Sequence, residues 1–253
     1  VSPPYHRVFS TPRELVRFVA RMRELSGGKP AGFKLCVGSR RQFLAVCKAM
    51  VEEGTAPDFI VVDGAEGGTG AAPLEFADHV GTPLTEGLLT VHNALVGAGL
   101  RDRVRIGASG KIATGTDLVK RMVQGADYGN AARAMMFAVG CIQAQRCHTN
   151  TCPTGVTTQD PRRARALDVR DKTPRVQRFQ EATVASALQI MASMGVTDPA
   201  ELRPHMLRRR VDPLTERSYE ELYEWLEPGQ LLVEPPASWA ADWKAADPDR
   251  FTV

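Results

Sequence analysis

The sequence has 253 residues, of which 43% are hydrophobic and 24% are charged, as in ordinary globular proteins with one sizeable core or two small ones. Its 32 basic and 29 acidic residues leave a formal charge of +3, and aromatic residues make up only 6%, so the composition argues against a nucleic-acid-binding surface. No apolar run approaches the ~20 residues that cross a bilayer, and no secretory pattern opens the chain. We therefore predict a cytoplasmic location, with no membrane segment in this chain.

The predicted elements alternate between helix and strand over residues 1–140. In order they are a helix from Thr11-Pro12 to Leu25, a strand at 32–37, a helix at 40–53, a strand at 59–63, a helix at 86–97, a strand at 104–107, a helix at 116–123, a short strand near Tyr128 and a helix rich in Ala and Met. Apolar strands that alternate with helices indicate an α/β fold with a parallel sheet, whose functional groups lie at the carboxyl ends of the strands. Four such units are half the number that closes a (β/α)8 barrel.

Beyond Cys141 no further strand–helix unit is predicted. An apolar helix is expected over 181–194, and Asp198-Pro199 begins a short helix. Residues after Val211 are rich in Pro, Trp and charge without sustained periodicity. We interpret them as a packing arm rather than as a domain.

Three cysteines lie close together in the sequence: Cys141, Cys147 and Cys152, with Pro153 directly after the last. Five cysteines in a chain without a secretory signal favour metal or cluster ligation over a disulfide framework. Thiolates are soft, anionic ligands for iron, and a Pro after the last Cys recurs in ferredoxin-type cluster sequences. A Cys3His zinc site that uses His148 is the main alternative, and buried cysteines without a ligand are the simplest one.

Glycine-bearing loops follow the last two predicted strands. Ser109 and Gly110 follow the third strand, and Gly129, Asn130 and Arg133 follow the fourth. In barrels the corresponding loops often bind phosphate, because glycines let backbone N–H groups approach the anion. An arginine adds a charge-assisted contact. The alternative for each loop is an ordinary turn between strand and helix.

A third candidate site begins at the end of the second strand. Asp63 and Glu66 precede Gly67 and Gly68 in a glycine-rich loop that could lie against a flat ring or a small carboxylate. The two carboxylates could instead cap their own turn. Lys34, inside an apolar strand, must be paired or lie near an anion, because an isolated buried ammonium is costly. It could stabilise a reduced anionic flavin or form an internal salt bridge.

Together these stretches resemble the synthase domain of glutamate synthase and its shorter, stand-alone relatives. The matching stretches are 34–35, 58–71 with its Gly-Gly-Thr-Gly-Ala core, 104–110, the three cysteines with Asn-Thr-Cys-Pro, and 155–161. Relatives of this type begin well upstream of Val1, so the resemblance implies that the chain is a C-terminal part, the second half of a (β/α)8 TIM barrel followed by a cysteine cluster loop and a helical tail.

The resemblance implies a chemistry. In that family the barrel holds FMN beside a 3Fe-4S cluster, ammonia from glutamine reacts with 2-oxoglutarate, and the reduced flavin delivers a hydride to 2-iminoglutarate. The expected activity is that of an oxidoreductase acting on the CH–NH2 group of donors, in glutamate biosynthesis. Electrons would come from an external donor, either ferredoxin or a pyridine-nucleotide-linked subunit, through the cluster.

The resemblance and the sequence patterns together give three sets of candidate site residues. The cluster ligands would be Cys141, Cys147 and Cys152. The flavin-binding residues would be Lys34, Gly67, Gly68, Ser109, Gly110, Gly129, Asn130 and Arg133. The candidate catalytic residues are Lys34, Asp63 and Glu66. The expected division is a partial FMN-binding barrel at 1–140, an iron–sulfur segment at 141–161 and a helical and irregular tail at 162–253.

The sequence departs from the family pattern on the substrate side. The family's Ser-Gly-His-Asp is replaced by residues 63–66, Asp-Gly-Ala-Glu, and its Trp-Glu-Leu by residues 84–86, Leu-Thr-Glu. The substrate is therefore left as a 2-oxo or imino acid. No glutaminase domain is present in the chain, so a separate ammonia source is expected. The alternatives are a zinc-stabilised structural module and a flavin-only barrel oxidoreductase with vestigial cysteines.

Overall fold

The computed structural model describes residues 6–66, 75–76 and 79–251. The helices are α1 Pro12–Leu25, α2 Arg40–Glu53, α3 Leu84–Gly97, α4 Gly115–Val123, α5 Arg133–Val139, α6 Pro161–Ala164, α7 Val169–Ser193, α8 Tyr219–Leu222, α9 Gln230–Val233 and α10 Ala237–Ala245. The strands are β1 Gly32–Cys36, β2 Phe59–Asp63, β3 Arg105–Ser109, β4 Tyr128–Asn130, β5 Arg208–Arg210 and β6 Glu216–Ser218.

Local sequence signals set the ends of several helices. Thr11 accepts a hydrogen bond from the Glu14 backbone N–H while the Glu14 carboxylate accepts one from the Thr11 N–H, which is a capping box at the start of α1. Thr114 and Asp117 form the same arrangement at the start of α4. At the end of α2, Gly54 has a φ of 66°, a left-handed conformation that glycine adopts without a steric penalty.

Strands β1 to β4 form one sheet in chain order, and every pairing is parallel. Helices α2, α3 and α4 connect the successive strands, so the chain builds consecutive βα units. This confirms the predicted α/β fold with a parallel sheet of four strands, the arrangement of a partial TIM barrel.

Several predicted bounds were wrong. α3 begins at Leu84, two residues before the predicted start, and β3 extends to Ser109, so this residue ends the strand instead of lying in a loop. α7 begins at Val169 rather than at residue 181, with Pro174 inside its first two turns. The first part of α7 is polar and exposed, so it carries no apolar periodicity that would reveal it.

Two clusters of buried side chains stabilise the fold. The larger one lies between the four-stranded sheet, α2 and α3, and includes Leu44, Ile60, Leu88 and Ile106. The smaller one joins α4 to α7 through residues such as Val119 and Met191. Because α7 packs on α4, the long helix after the cysteine segment is attached to the same βα units that form the sheet.

The C-terminal arm, residues 212–251, folds back onto α2 and α3. Its side chains Leu231 and Trp239 belong to the larger core. The Arg40 guanidinium lies 4.6 Å from the centroid of the Trp239 ring, and the Arg40 side chain also forms an ion pair with Asp242. These contacts agree with the interpretation of the segment as a packing arm, and it contains one helix of nine residues, α10, that no periodicity predicted.

No helix in the described ranges is both long and apolar enough to span a membrane. The longest, α7, has 25 residues, but its first half carries several charged side chains.

Candidate functional site

The carboxyl ends of the four parallel strands lie in one row. In the register of the sheet, Cys36 of β1 is aligned with Asp63 of β2, Asp63 with Ser109 of β3, and Ser109 with Asn130 of β4. Aligned residues of a parallel sheet point their side chains to the same face. The strand-end row, defined as these four residues, therefore brings a thiol, a carboxylate, a hydroxyl and an amide to one edge of the sheet, where βα proteins place their active sites.

Lys34 joins this row through an ion pair. Its Nζ lies 2.5 Å from Oδ2 of Asp63, and it shares a face of β1 with Cys36, two residues further on. The side chain of Lys34 is 57% exposed and that of Asp63 32% exposed. The expectation that Lys34 is buried was therefore wrong, because β1 is the first strand of the sheet and this face is open in the described structure. The expected anionic partner is present.

Glu66 occupies a different position. Both of its carboxylate oxygens accept a hydrogen bond from the backbone N–H of Leu84, at 3.0 and 2.9 Å. Its carboxylate lies at the start of α3, so it caps that helix rather than its own turn. The other two predicted residues of this loop, Gly67 and Gly68, lie outside the described residues.

The loop after β3 has a strained backbone. Gly110 has a φ of 141° and Lys111 a φ of 48°, the second being unusual for a residue with a side chain. A methyl group added at Gly110 would lie 3.3 Å from the Leu84 side chain and 3.7 Å from the Gly64 nitrogen. The Gly64 N–H also donates to the Ser109 carbonyl at 3.1 Å. The loops after β2 and β3 are therefore packed against each other.

The other predicted phosphate-binding residues lie at the end of β4 and at the start of α5. Gly129 and Asn130 belong to β4 itself rather than to the loop predicted after it, and Arg133 begins α5. A methyl group added at Gly129 would come within 2.9 and 2.7 Å of the side chains of Ile112 and Leu118, which would have to shift. Asn130 is exposed at the end of β4, and Arg133 is exposed at the first position of α5. Gly129 therefore packs closely against Ile112 and Leu118, whereas the side chains of Asn130 and Arg133 are exposed at the surface.

The polar groups at this edge of the sheet are of the kind that bind an anionic flavin cofactor. A cation, Lys34, stands at one side, and the hydroxyl of Ser109, the glycine backbone at Gly110 and the amide of Asn130 stand at the carboxyl ends of β3 and β4. Backbone N–H groups near glycine, together with Ser, Asn and Arg side chains, are the usual ligands of phosphate. The chemistry of these residues is thus compatible with FMN.

The cysteine segment, Cys141–Cys152, is built from irregular turns. Among the described residues, three of the four non-glycine residues with positive φ lie in it: Gln143 at 55°, Gln145 at 52° and Asn150 at 59°. The Oδ1 of Asn150 accepts hydrogen bonds from the Thr158 hydroxyl at 3.0 Å and the Gln159 N–H at 2.6 Å. Strained backbone of this kind accumulates at functional sites, where the surroundings hold it in place.

Cys152 is set up to carry a thiolate. It is 8% exposed. Burial opposes ionisation, but hydrogen bonds from the Thr154 hydroxyl and the Thr157 backbone outweigh it and hold the pKa of the Cys152 thiol at about 6. At the other end of the segment, the Gln143 N–H lies 3.4 Å from the Cys141 sulfur. Stabilised thiolates are the form in which cysteine binds metals.

The three cysteines are not assembled into a ligand set. Across residues 6–66, 75–76 and 79–251, no three His, Cys, Asp or Glu side chains are grouped so that they could hold a metal ion. The donor chemistry of Cys141, Cys147 and Cys152 suits iron, but their arrangement in this structure does not fit a cluster. The same finding gives no support to the zinc alternative with His148.

Two features of the site region were not predicted. Cys36 ends β1 in the strand-end row, and desolvation of its sulfur together with the charges of Asp63 and Glu66 raises the pKa of its thiol. Arg121 of α4 is buried and donates to the Thr85 hydroxyl at 2.9 Å. The sequence could have indicated Cys36 only through its position at the end of a predicted strand. No local sequence pattern indicates that Arg121 is buried.

Comparisons with known proteins agree with these observations. The family described as "Conserved region in glutamate synthase" matches residues 1–197. "Glutamate synthase large subunit-like protein YerD" of Bacillus subtilis is 40% identical over 212 residues, 83% of this chain and 40% of the relative. "Archaeal glutamate synthase (NADPH)" of Methanocaldococcus jannaschii is 33% identical over 224 residues, 88% of this chain and 43% of the relative.

The chain thus spans less than half the length of these two relatives. A solved flavocytochrome b2 with sulfite bound aligns with 86% of this chain and 45% of that chain at 18% identity and a TM-score of 0.46, a likeness too distant to carry weight. The family match covers most of the chain and includes the strand-end row and the cysteine segment. The chain therefore belongs to the glutamate synthase family.

Proposed function

We propose that this chain forms the flavin-binding and cysteine-bearing part of an oxidoreductase that reduces 2-iminoglutarate, or a related imino or oxo acid, to the amino acid. The observation that carries the proposal is the strand-end row with the Lys34–Asp63 ion pair. It places a cation, a carboxylate and a phosphate-type donor set on one edge of a parallel sheet. Family membership supports the same function.

The residues at this edge are proposed to have different roles in binding FMN and the substrate. Ser109, the Gly110 backbone, Asn130 and Arg133 would hold the phosphate of FMN, because they supply hydroxyl, N–H, amide and guanidinium donors. When bound, FMN supplies the hydride that reduces the substrate. Lys34 offsets negative charge that develops beside it, whether on a ring system or on a substrate carboxylate. Asp63 accepts from the Lys34 ammonium and fixes its direction.

The cysteine segment is proposed as the iron–sulfur site, with Cys141, Cys147 and Cys152 as ligands of a 3Fe-4S cluster. Their spacing and the thiolate-stabilising surroundings of Cys152 support this role. Because the sulfurs are not gathered in the described structure, binding would require the turns between Cys141 and Cys152 to rearrange.

An external electron donor and a separate ammonia source complete the proposal. The names of two relatives point to different donors, since one is an NADPH-dependent archaeal glutamate synthase and another is the ferredoxin-dependent glutamate synthase of Antithamnion sp.. A ferredoxin or a pyridine-nucleotide-linked subunit is therefore proposed for this protein.

Replacement of Lys34 tests the proposed function. The intact protein, produced without oxygen, should contain FMN and reduce 2-oxoglutarate plus ammonia to glutamate with reduced ferredoxin or a chemical reductant. Lys34→Met removes the cation beside Asp63, so we expect at least a 10-fold loss of turnover, on the scale of one lost electrostatic contact. Lys29→Met, on the exposed segment before β1, is the matched control and should remain within about 2-fold of wild type.

Three measurements decide the result: FMN content after denaturation, glutamate formed and the absorbance spectrum. A protein without FMN that forms no amino acid from any 2-oxo acid would contradict the proposed function. Equal losses in the Lys34 and Lys29 variants would contradict the role given to Lys34.

A flavin-only oxidoreductase is the second candidate function. It is favoured by one observation, the absence of a grouped metal-ligand set in the described part of the chain. It predicts FMN without iron, and turnover with a chemical reductant that is unchanged by Cys147→Ser. Iron and acid-labile sulfide in stoichiometric amounts would exclude it.

A further inference from the structure

Segment 64–66, at the start of the glycine-rich loop, binds three different parts of the chain. Its first residue donates a backbone N–H to the Ser109 carbonyl, and its second donates one to the Thr82 carbonyl, both at 3.1 Å. Its third residue accepts the Leu84 N–H with both carboxylate oxygens. Three consecutive residues are thus fixed to the end of β3, to the turn before α3 and to α3 itself.

α3 lacks a cap from its own neighbourhood. Its N-cap residue is Pro83, whose side chain makes no capping hydrogen bond, so the first turn of this 14-residue helix has free N–H groups. A carboxylate is favoured at a helix start both as a hydrogen-bond acceptor and as a negative charge facing the positive end of the dipole. Glu66 supplies both from 18 residues upstream of Leu84.

A buried cation contacts the same helix start through the Thr85 hydroxyl. Arg121 is 9% exposed, donates to the hydroxyl of Thr85 and has an Nε without a hydrogen-bond partner among the residues that the structure describes. Burial lowers the pKa of Arg121, and the negative charge of Glu66 is the strongest influence against that lowering. Glu66 therefore lies at the positive end of the α3 dipole, and its negative charge also favours the charged form of the buried Arg121.

We propose that Glu66 is a positioning residue, whose carboxylate fixes segment 64–66 to the start of α3 and thereby holds the neighbouring Asp63 in its ion pair with Lys34. It transfers no proton. Both of its oxygens are directed at the Leu84 N–H at the start of α3, whereas Asp63 is paired with Lys34. The effect on turnover rests on the proposed function, but the structural effect does not.

Three variants of the intact protein test this inference. Glu66→Gln keeps an acceptor oxygen for the Leu84 N–H, and Glu66→Ala removes it. Glu86→Gln, an exposed carboxylate in the first turn of the same helix, is the control for charge. We expect the alanine variant to unfold at a temperature about 2–6 °C lower than wild type, the glutamine variant to lose less than half of that, and the control to stay within about 1 °C.

Turnover separates positioning from proton transfer. The glutamine variant should retain turnover within about 3-fold of wild type with an unchanged pH profile, because the amide still positions the segment but cannot exchange a proton. A glutamine variant that unfolds at the wild-type temperature, yet loses turnover more than about 100-fold, would overturn the inference and assign proton transfer to Glu66.

The thermal measurement needs neither cofactor nor substrate, so it distinguishes the two proposals. If no variant turns over, wild type included, but the alanine variant alone is destabilised, the proposed function fails and the role of Glu66 stands. If all three variants unfold at the wild-type temperature, the positioning role fails whatever the activity shows.

Discussion

The strand-end row and the cysteine segment are built in opposite ways. Backbone pairing fixes the row: the parallel register alone aligns Cys36, Asp63, Ser109 and Asn130. The cysteine segment has no such ladder and depends on side-chain hydrogen bonds and left-handed residues such as Gln143. A site made by a sheet is assembled before any ligand arrives, whereas a site made of turns can complete its geometry only with its ligand.

The largest expected effect comes from removing one thiolate from the cysteine segment. Cys152→Ser takes away the sulfur with the most stabilised negative charge, so we expect iron content to fall at least 10-fold while FMN content stays within about 2-fold. Cys36→Ser, in the strand-end row, is the control and should keep its iron. Iron and FMN assays on the same preparations check this. Joint loss of both cofactors would show that the two regions are not independent.

A methyl group added in the loop after β3 should impair the strand-end row and leave the cysteine segment unchanged. Gly110→Ala forces a side chain into a backbone with a φ of 141°, which costs about 1–3 kcal/mol of unfolding free energy, and it should weaken FMN binding about 10-fold. Gly28→Ala has a comparable left-handed φ of 86° but nothing within 4 Å of the added methyl. It should lose stability and leave FMN binding unchanged. Urea unfolding and flavin titration measure both, and equal FMN affinities would contradict the placement of the phosphate at Gly110.

The smallest effect should come from relieving strain in each region. Lys111→Gly and Gln143→Gly both place glycine where a side-chain-bearing residue has a left-handed φ, so each should raise the unfolding free energy by about 0.5–1 kcal/mol. The gain should appear without ligand in the first variant. In the second it should lie at the lower end of this range, because the cysteine segment is not part of a sheet and its backbone can relax more easily around Gln143. A larger increase in unfolding free energy for Gln143→Gly than for Lys111→Gly would show that the cysteine segment, and not the loop after β3, is the more rigidly held region.

The sequence predicted the elements whose signals are local. α2 has the predicted bounds, 40–53, because its apolar residues recur at helical spacing and Gly54 ends it. The four strands were found because they are apolar and lie between glycine-bearing turns. Their shared register then follows from parallel pairing, so the candidate edge of the sheet could also be predicted.

Features that depend on distant partners could not be predicted. The bond between Glu66 and Leu84 spans 18 residues, and no local pattern reveals it. α10 was missed because contacts with α2, such as that of Lys48 with the Trp243 ring, stabilise it more than its own periodicity does. The left-handed turns of the cysteine segment are likewise stabilised by hydrogen bonds between distant residues, such as those to the Asn150 side chain, and not by glycines.

α3 is bonded to two parts of the molecule that are far apart in the sequence, the loop after β2 and the C-terminal arm. At its start it is bound by Glu66, and near its end the Asn93 amide donates to the Glu224 carbonyl while its oxygen accepts the Leu226 N–H of the C-terminal arm. A helix is stiff over this length. The C-terminal arm and the loop beside the Lys34–Asp63 pair are thus attached to the same helix. We expect that a substitution in residues 212–251 that displaces α3 also displaces the strand-end row.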